Sequence, residues 1–182
     1  MILFNSFFLA AIILMVTEIE SIQYLHSPFY STTRSTEYWG PRQACPSNSF
    51  VTKVTLGTGY NSDDVTALSG LKMECTSLDV RRLGKTIHSA TGRYNSWKHY
   101  PIQCKGLVTG FQLRSSRDSG LSDFRGATDI RILCSDGKWL DGNSGWHSYS
   151  EWTERQICPT KTAICSMKTR IDDNRVNFWR DG

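Results

Sequence analysis

Five aspartates are the residues best suited to chemistry in this 182-residue chain, because they recur at one place in each of three similar segments. They are Asp63, Asp64, Asp123, Asp172 and Asp173. Carboxylates bind sugar hydroxyls, and a pair of them can act as acid and base in glycosyl transfer. Aspartate also caps backbone N–H groups in tight turns. We favour this structural role, and keep sugar binding and then catalysis as the functional hypotheses.

Aromatic residues form the second candidate set, because sugar rings stack on aromatic rings. They open each segment: Tyr38, Trp39, Tyr94, Trp97, Trp146, Tyr149 and Trp152. Their recurrence equally indicates packing at sheet corners, where each aromatic side chain buries roughly 150–250 Å², and we favour packing. The candidate carbohydrate-binding residues are Asp63, Asp64, Asp123, Trp97 and Tyr94.

Six cysteines are typical of disulfide bonds in a secreted chain. They are Cys45, Cys75, Cys104, Cys134, Cys158 and Cys165. Zinc binding is the alternative, but it requires short paired Cys spacings that are absent here, and the four histidines are far apart in the sequence. We therefore predict no metal and no cofactor.

The chain divides into a signal peptide at residues 1–21, a lead-in at 22–36 and one domain at 37–182. Residues 1–16 are almost wholly apolar, which suits a signal-peptide core and is short for a membrane span. A membrane anchor is the alternative. Removing Glu18 and Glu20 leaves 21 basic and 15 acidic residues, a net charge of +6. These charges are scattered and form no stripe of the kind that tracks phosphates, so we expect a soluble, secreted monomer that binds no nucleic acid.

An internal repeat organises the domain. Cys45 and Cys75 are 30 positions apart, as are Cys104 and Cys134. Residues 50–56 and 107–113 alternate with period two, which is typical of half-buried strands. The residues predicted to face inward are Phe50, Thr52, Val54, Leu56, Leu107, Thr109, Phe111 and Leu113. A second alternating run closes each repeat at residues 71–75 and 130–134. The third repeat has its two strands at 163–169 and 176–180.

The repeats, at about residues 37–92, 93–145 and 146–182, predict an all-β fold with one small antiparallel sheet per repeat. One such sheet cannot bury its own apolar face, whereas three can cover one another around a common axis. The expected architecture is a triangular β-prism, and a β-sandwich is the alternative. Each of the cysteine pairs Cys45–Cys75 and Cys104–Cys134 brackets the strands of one repeat, so each pair is predicted to form a disulfide.

With the repeats aligned, the chain resembles the vitelline membrane outer layer protein 1 family. The similar segments are residues 39–45, 63–71, 111–115, 134–137 and 164–170. The resemblance implies a β-prism of three Greek-key sheets with a lectin-like architecture. It also implies a secreted protein of egg coats or other extracellular secretions, with glycans or extracellular matrix and egg-coat proteins as partners.

The third repeat departs from the family pattern. Its closing cysteines are replaced by Arg180 and Asp181, so Cys158 and Cys165 lack family partners. These two cysteines either pair with each other, which we slightly favour, or stay as thiols. The second and third acidic loops are also altered, since Asp123 is followed by Phe124 rather than by a second aspartate.

Two functions follow from these features. The first is a non-enzymatic extracellular structural or carbohydrate-binding protein of an egg coat, secretion or surface layer. The alternative is a carbohydrate-active enzyme that uses the loop carboxylates for glycosyl transfer or hydrolysis. An enzyme normally has one asymmetric polar cluster, whereas these acids follow the repeat, which favours a scaffold or binding role.

Overall fold

All regular secondary structure in the described part of the chain is β-strand. The structure is a computed structural model that describes residues 25, 37–59, 68–78, 83–91, 95–116, 127–145 and 150–172. In chain order the strands are β1 (Glu37–Trp39), β2 (Gln43–Ala44), β3 (Ser49–Thr58), β4 (Gly70–Ser77), β5 (Leu83–His88), β6 (Ser96–Trp97), β7 (Ile102–Gln103), β8 (Val108–Ser116), β9 (Ala127–Cys134), β10 (Trp139–Asp141), β11 (Ser150–Trp152), β12 (Gln156–Ile157), β13 (Ser166–Met167) and β14 (Arg170–Asp172). No helix in these ranges is long and apolar enough to cross a membrane.

The strands form two larger antiparallel sheets and two short ladders. The first sheet has the order β5-β4-β3-β6, and β7 also pairs with β3. The second repeats this plan with the order β10-β9-β8-β11, and β12 also pairs with β8. In the short ladders β1 pairs with β14 and β2 with β13. The fold is therefore all-β, as predicted. Residues 176–180, predicted to close the third repeat, lie outside the described ranges, so the three-sheet Greek-key prism stays a prediction.

Each larger sheet contains strands from two repeats, which differs from the expectation of one sheet per repeat. The segment that opens each repeat lies along the first strand of the preceding repeat. Its cysteine donates a backbone hydrogen bond there, from Cys104 N to Thr52 O at 3.0 Å and from Cys158 N to Thr109 O at 2.8 Å. The N-terminal segment does the same with the last repeat, since Cys45 N donates to Cys165 O at 2.8 Å. The repeats interlock in a ring that the N-terminal segment closes.

A β-bulge occurs at the same place in the first two repeats. In the β3–β4 ladder Val51 pairs with Cys75 and the next pair is Lys53 with Glu74, so Thr52 has no partner opposite it. The register of the β8–β9 ladder skips Thr109 in the same way. A bulge inserts one residue, and it therefore reverses which residues of the strand face the core.

The bulges make part of the predicted core wrong. Val51 and Val108 are buried, at 0% and 1% exposure, in place of Phe50 and Leu107. The bulge residue Thr52 is only half-buried, as is Thr109. Beyond the bulge the predicted alternation holds: Val54 and Leu56 are buried, and Phe111 and Leu113 pack against the core.

The buried apolar residues form one cluster between the sheets. They are Val51, Val54, Leu56, Leu71, Met73, Cys75, Ile87, Ile102, Cys104, Val108, Ile130, Ile132 and Cys134. Ile164 and Met167 of the third repeat pack against it. Because burying one such aliphatic side chain contributes about 1.5–3 kcal/mol, a core shared by all three repeats favours folding as one unit.

Two disulfides belong to this core, and both confirm the prediction. Cys45 is bonded to Cys75 with a Cα–Cα distance of 5.7 Å, and Cys104 to Cys134 with 5.5 Å. Each bond ties the opening segment of a repeat to its closing strand.

Candidate functional site

The residues that follow the first two acidic loops lie beside each other. The first loop lies between the end of β3 and the start of β4, and the second between β8 and β9. At their bases Leu68 N donates to Ala127 O at 3.2 Å. The third loop follows Asp172, where β14 ends. Asp63, Asp64, Asp123, Asp173 and Tyr94 themselves lie outside the described residues.

The β1–β14 ladder adjoins the first sheet through Gly40. Its amide donates to Thr169 O at 2.9 Å, and a Cβ added to Gly40 would lie 2.7 Å from the Cβ of Ala90. The next residue, Thr91, in turn lies close to Gly70, the first residue of β4. These contacts connect the β1–β14 ladder, which precedes the third loop, to the first residue of β4, which follows the first loop.

One buried carboxylate in this region was missed by sequence reasoning. Asp129, near the start of β9, is 1% exposed, and its Oδ1 accepts the amide of Ile130 at 2.8 Å. In the first repeat the equivalent amide, that of Leu71, donates to Ser89 Oγ at 2.8 Å. By residue type alone Asp129 is indistinguishable from an exposed turn aspartate, so the sequence carries no signal of its burial.

This difference between the two repeats follows from the residue that comes directly after β5 in the first repeat and directly after β10 in the second. Ser89 N donates to Leu71 O, and Gly142 N donates to Ile130 O, each at 2.8 Å. Gly142 thus occupies the position of Ser89 but has no hydroxyl. The carboxylate of Asp129 supplies the missing acceptor, which keeps a buried amide hydrogen-bonded.

Asn95 anchors the segment next to the candidate Tyr94. Ser69 Oγ donates to Asn95 Oδ1 at 2.6 Å, which joins the end of the first acidic loop to the start of the second repeat. A Cβ on Gly57 would lie 1.9 Å from this oxygen, so the glycine makes room for the amide. The contact holds the two candidate segments beside each other.

Trp97 is the one candidate carbohydrate-binding residue within the described ranges. Its half-buried ring lies beside Gly70, with the Lys72 ammonium 4.7 Å from the ring centroid. His88 meets it edge-on, with ring centroids 5.9 Å apart. Trp97 therefore packs across the outer face of the first sheet, near the strand ends that flank the first acidic loop.

A cation of the neighbouring repeat contacts each opening tryptophan that the structure describes, whereas Trp146 and Tyr149 lie outside the described residues. Lys168 lies 5.3 Å from the ring centroid of Trp39, and Arg131 lies 4.6 Å from that of Trp152. With Lys72 over Trp97, the contact recurs in all three repeats. Such contacts contribute about 0.5–1 kcal/mol at exposed sites. They attach the opening segment to its sheet, so packing explains why tryptophan recurs at these positions.

Cys158 and Cys165 are free thiols, which contradicts the slight preference for a mutual disulfide. Cys165 takes the bulge position of Thr52 and Thr109, whose hydroxyls bond across the ladder in their own repeats. Cys158 takes the position of the disulfide-bonded Cys104, but no cysteine follows Cys165 in the chain. Burial, and then the nearby Cys165, raise the pKa of the Cys158 thiol.

The Cys158 thiol is expected to react slowly with alkylating reagents. The thiolate is the nucleophile, and a raised pKa keeps Cys158 protonated at neutral pH. Iodoacetamide labelling followed by mass spectrometry should find both cysteines modified in the unreduced, denatured protein. In the folded protein the labelling rate of Cys158 should still rise with pH above 9.0, which is the ordinary pKa of a cysteine thiol. A disulfide-linked peptide containing both residues would contradict the thiol state.

Comparison with known proteins gives a consistent result. The sequence profile described as vitelline membrane outer layer protein I matches residues 28–181. A Mus musculus protein named vitelline membrane outer layer protein 1 homolog is 31% identical over 144 residues, covering 75% of this chain and 69% of its own length. A Homo sapiens protein of the same name is 29% identical over 144 residues, covering 75% of this chain and 68% of its own length.

Proposed function

The chain belongs to the vitelline membrane outer layer protein I family, and from this membership we propose that it is a secreted, non-enzymatic protein that binds carbohydrate in an egg coat or another extracellular layer. The observation that supports the binding role is that Leu68, which follows the first acidic loop, donates to the carbonyl oxygen of Ala127, which follows the second. The β1–β14 ladder, which precedes the third loop, contacts the first sheet through Gly40 and Ala90.

A rigid scaffold suits such a binding surface. Long paired strands flank the first two loops, and two disulfides and the interlocked opening segments restrain those strands. Fixed loop ends lower the conformational freedom that is lost on binding, so even a few carboxylate–hydroxyl hydrogen bonds contribute to affinity.

Binding of neutral glycans is expected to depend on the first acidic loop more than on the third. A hydrogen bond to a charged group contributes about 1.5–3 kcal/mol, so the double change Asp63→Asn and Asp64→Asn should weaken binding about tenfold or more. The matched double change Asp172→Asn and Asp173→Asn alters the shortened third loop and should leave affinity nearly intact while lowering thermal stability. A glycan array, followed by calorimetry with the best ligand, measures both.

Three outcomes would contradict the proposal. Equal loss of affinity in the two double variants would remove the asymmetry between the loops. Absence of glycan binding by the parent protein would leave only a structural role. Release of reducing sugar from an oligosaccharide, lost in the variant with Asp63→Asn and Asp64→Asn, would support the enzyme alternative instead.

A further inference from the structure

The outer face of the second sheet carries a stack of alternating arginine and tryptophan side chains. The Arg131 guanidinium lies 5.2 Å from the ring centroid of Trp139 and 4.6 Å from that of Trp152. Arg155 lies 5.4 Å from Trp139, and Arg114 lies 5.8 Å from Trp152. These five residues, the arginine–tryptophan stack, include none of the candidate carbohydrate-binding residues Asp63, Asp64, Asp123, Trp97 and Tyr94, although Arg114 and Arg131 flank the second acidic loop in sequence.

Arg131 is held in one orientation by a buried glutamine. Gln112 is 6% exposed, and its Oε1 accepts a hydrogen bond from Arg131 Nε at 2.7 Å. Its Nε2 donates to the carbonyl oxygen of Thr153 in the opening segment of the third repeat. The glutamine therefore couples Arg131 to the backbone, and the ring centroids of Trp139 and Trp152 lie 5.2 and 4.6 Å from its guanidinium carbon.

This geometry leaves hydrogen-bond donors available. A guanidinium that stacks on a ring keeps its N–H groups in its own plane, and only the Nε of Arg131 is engaged by Gln112. Arg155 is exposed. Within the described ranges neither Arg131 nor Arg155 forms a salt bridge. Both guanidinium carbons lie within 5.4 Å of the Trp139 ring centroid, so they are at most about 11 Å apart, a separation that an oligosaccharide can span.

The neighbouring charges limit what can bind here. Asp141 lies opposite Arg131 in the ladder, and Glu154 precedes Arg155 in the chain. The face is thus close to neutral overall, so attraction at long range is weak. Recognition has to come from the fork geometry of the two arginines, which matches the oxygens of sulfate and carboxylate groups.

We propose that Arg131 and Arg155 form a binding site for the sulfate or carboxylate groups of an acidic polysaccharide. The choice of polysaccharide rests on the proposed extracellular location. Nucleic acid fits less well, because single strands stack their bases on aromatic rings and duplexes require a long basic surface. Here arginines cover the rings, and the basic groups number only a few.

The test measures binding to three probes at low salt: a heparin oligosaccharide, dextran sulfate and a hyaluronan oligosaccharide. The last carries carboxylates without sulfate, so the three probes separate the two anionic groups. The conservative double change Arg131→Lys and Arg155→Lys keeps the net charge and removes both planar guanidinium groups. It should weaken binding of the preferred probe about fivefold or more, because lysine cannot bond two oxygens in one plane.

A matched control separates this site from general charge. Lys85 and Lys105 are exposed and lie elsewhere, and Lys85→Gln with Lys105→Gln removes two positive charges. This lysine variant should weaken binding of the probe less than about twofold, since distant exposed charges are screened. The variant with Arg131→Gln and Arg155→Gln removes the same number of charges and should weaken binding more. Unchanged binding in the variant with Arg131→Lys and Arg155→Lys, or an equal loss in the Lys85 and Lys105 control, would overturn the proposal.

Two further measurements complete the test. The change Asp63→Asn with Asp64→Asn should leave binding of the acidic probes unchanged. The proposal for this site and the proposal for neutral-glycan binding can therefore be refuted separately. Duplex DNA of similar length should bind more weakly than the best probe. Binding of none of the three probes, or tighter binding of DNA, would show that the stack does not bind acidic polysaccharide.

Discussion

Removing either disulfide is expected to destabilise the domain by about 3.7 kcal/mol, because each closes a loop between cysteines 30 positions apart and so restricts the unfolded chain. The changes are Cys45→Ala with Cys75→Ala, and Cys104→Ala with Cys134→Ala. Since 1 kcal/mol lowers the Tm by roughly 2–4 °C in a domain of this size, each pair should lower it by about 7–15 °C. Differential scanning calorimetry and urea denaturation measure the loss.

The chain supplies its own control in the two free thiols. Cys158→Ala with Cys165→Ala also removes two cysteines, but it breaks no bond. Both side chains are half-buried, so we expect a loss of about 1 kcal/mol or less. A loss as large as that of the disulfide variants would mean that these cysteines are cross-linked in the folded protein.

The fold class and the two disulfides could be predicted because they follow from features that repeat in the sequence. Period-two alternation identified the long strands, and the equal spacing of Cys45–Cys75 and Cys104–Cys134 identified the disulfides. The same alternation wrongly predicted that Phe50 faces the core. A bulge adds one residue to the strand pairing and so changes which side chains face the core, without changing the amino-acid composition.

The interlocking of the repeats could not be predicted either. Sequence similarity shows which segments are equivalent, but it does not show whether an edge strand pairs within its own repeat or with the previous one. The opening tryptophans illustrate the limit. Trp97 stays a candidate for sugar stacking, but the sequence did not show that its contact with Lys72 belongs to the pairing between repeats.

Some site features depend on local exchanges between repeats. The Cys165 thiol stands where Thr52 has a hydroxyl, and Asp129 replaces the acceptor that Ser89 provides in the first repeat. Each exchange is visible only when the two repeats are superposed in the structure. The arginine–tryptophan stack was likewise not predictable, since four of its members lie on separate strands, Arg155 lies between two strands, and the five share no motif.

Gly142→Ala is expected to destabilise the domain by about 2–3 kcal/mol, at the upper end of the usual cost of overpacking. A Cβ at this position would lie 2.6 Å from the carbonyl oxygen of Ile130, 2.7 Å from Asp129 Oδ1 and 2.7 Å from Leu56 Cδ2. The first contact is with backbone, and the carboxylate oxygen already accepts the Ile130 amide. Neither the Ile130 carbonyl group nor the Asp129 carboxylate can move without weakening a buried hydrogen bond.

Gly84→Ala is the matched control for this substitution, because the added Cβ would approach nothing closer than the carbonyl oxygen of Cys75 at 3.1 Å. Gly84 is exposed in β5, where alanine restricts the unfolded chain, so the two effects should nearly cancel within about 0.5 kcal/mol. Urea denaturation of both variants gives the comparison. If Gly142→Ala is as stable as Gly84→Ala, then Asp129 is not held against the backbone as described, and the hydroxyl-for-carboxylate exchange between the repeats is wrong.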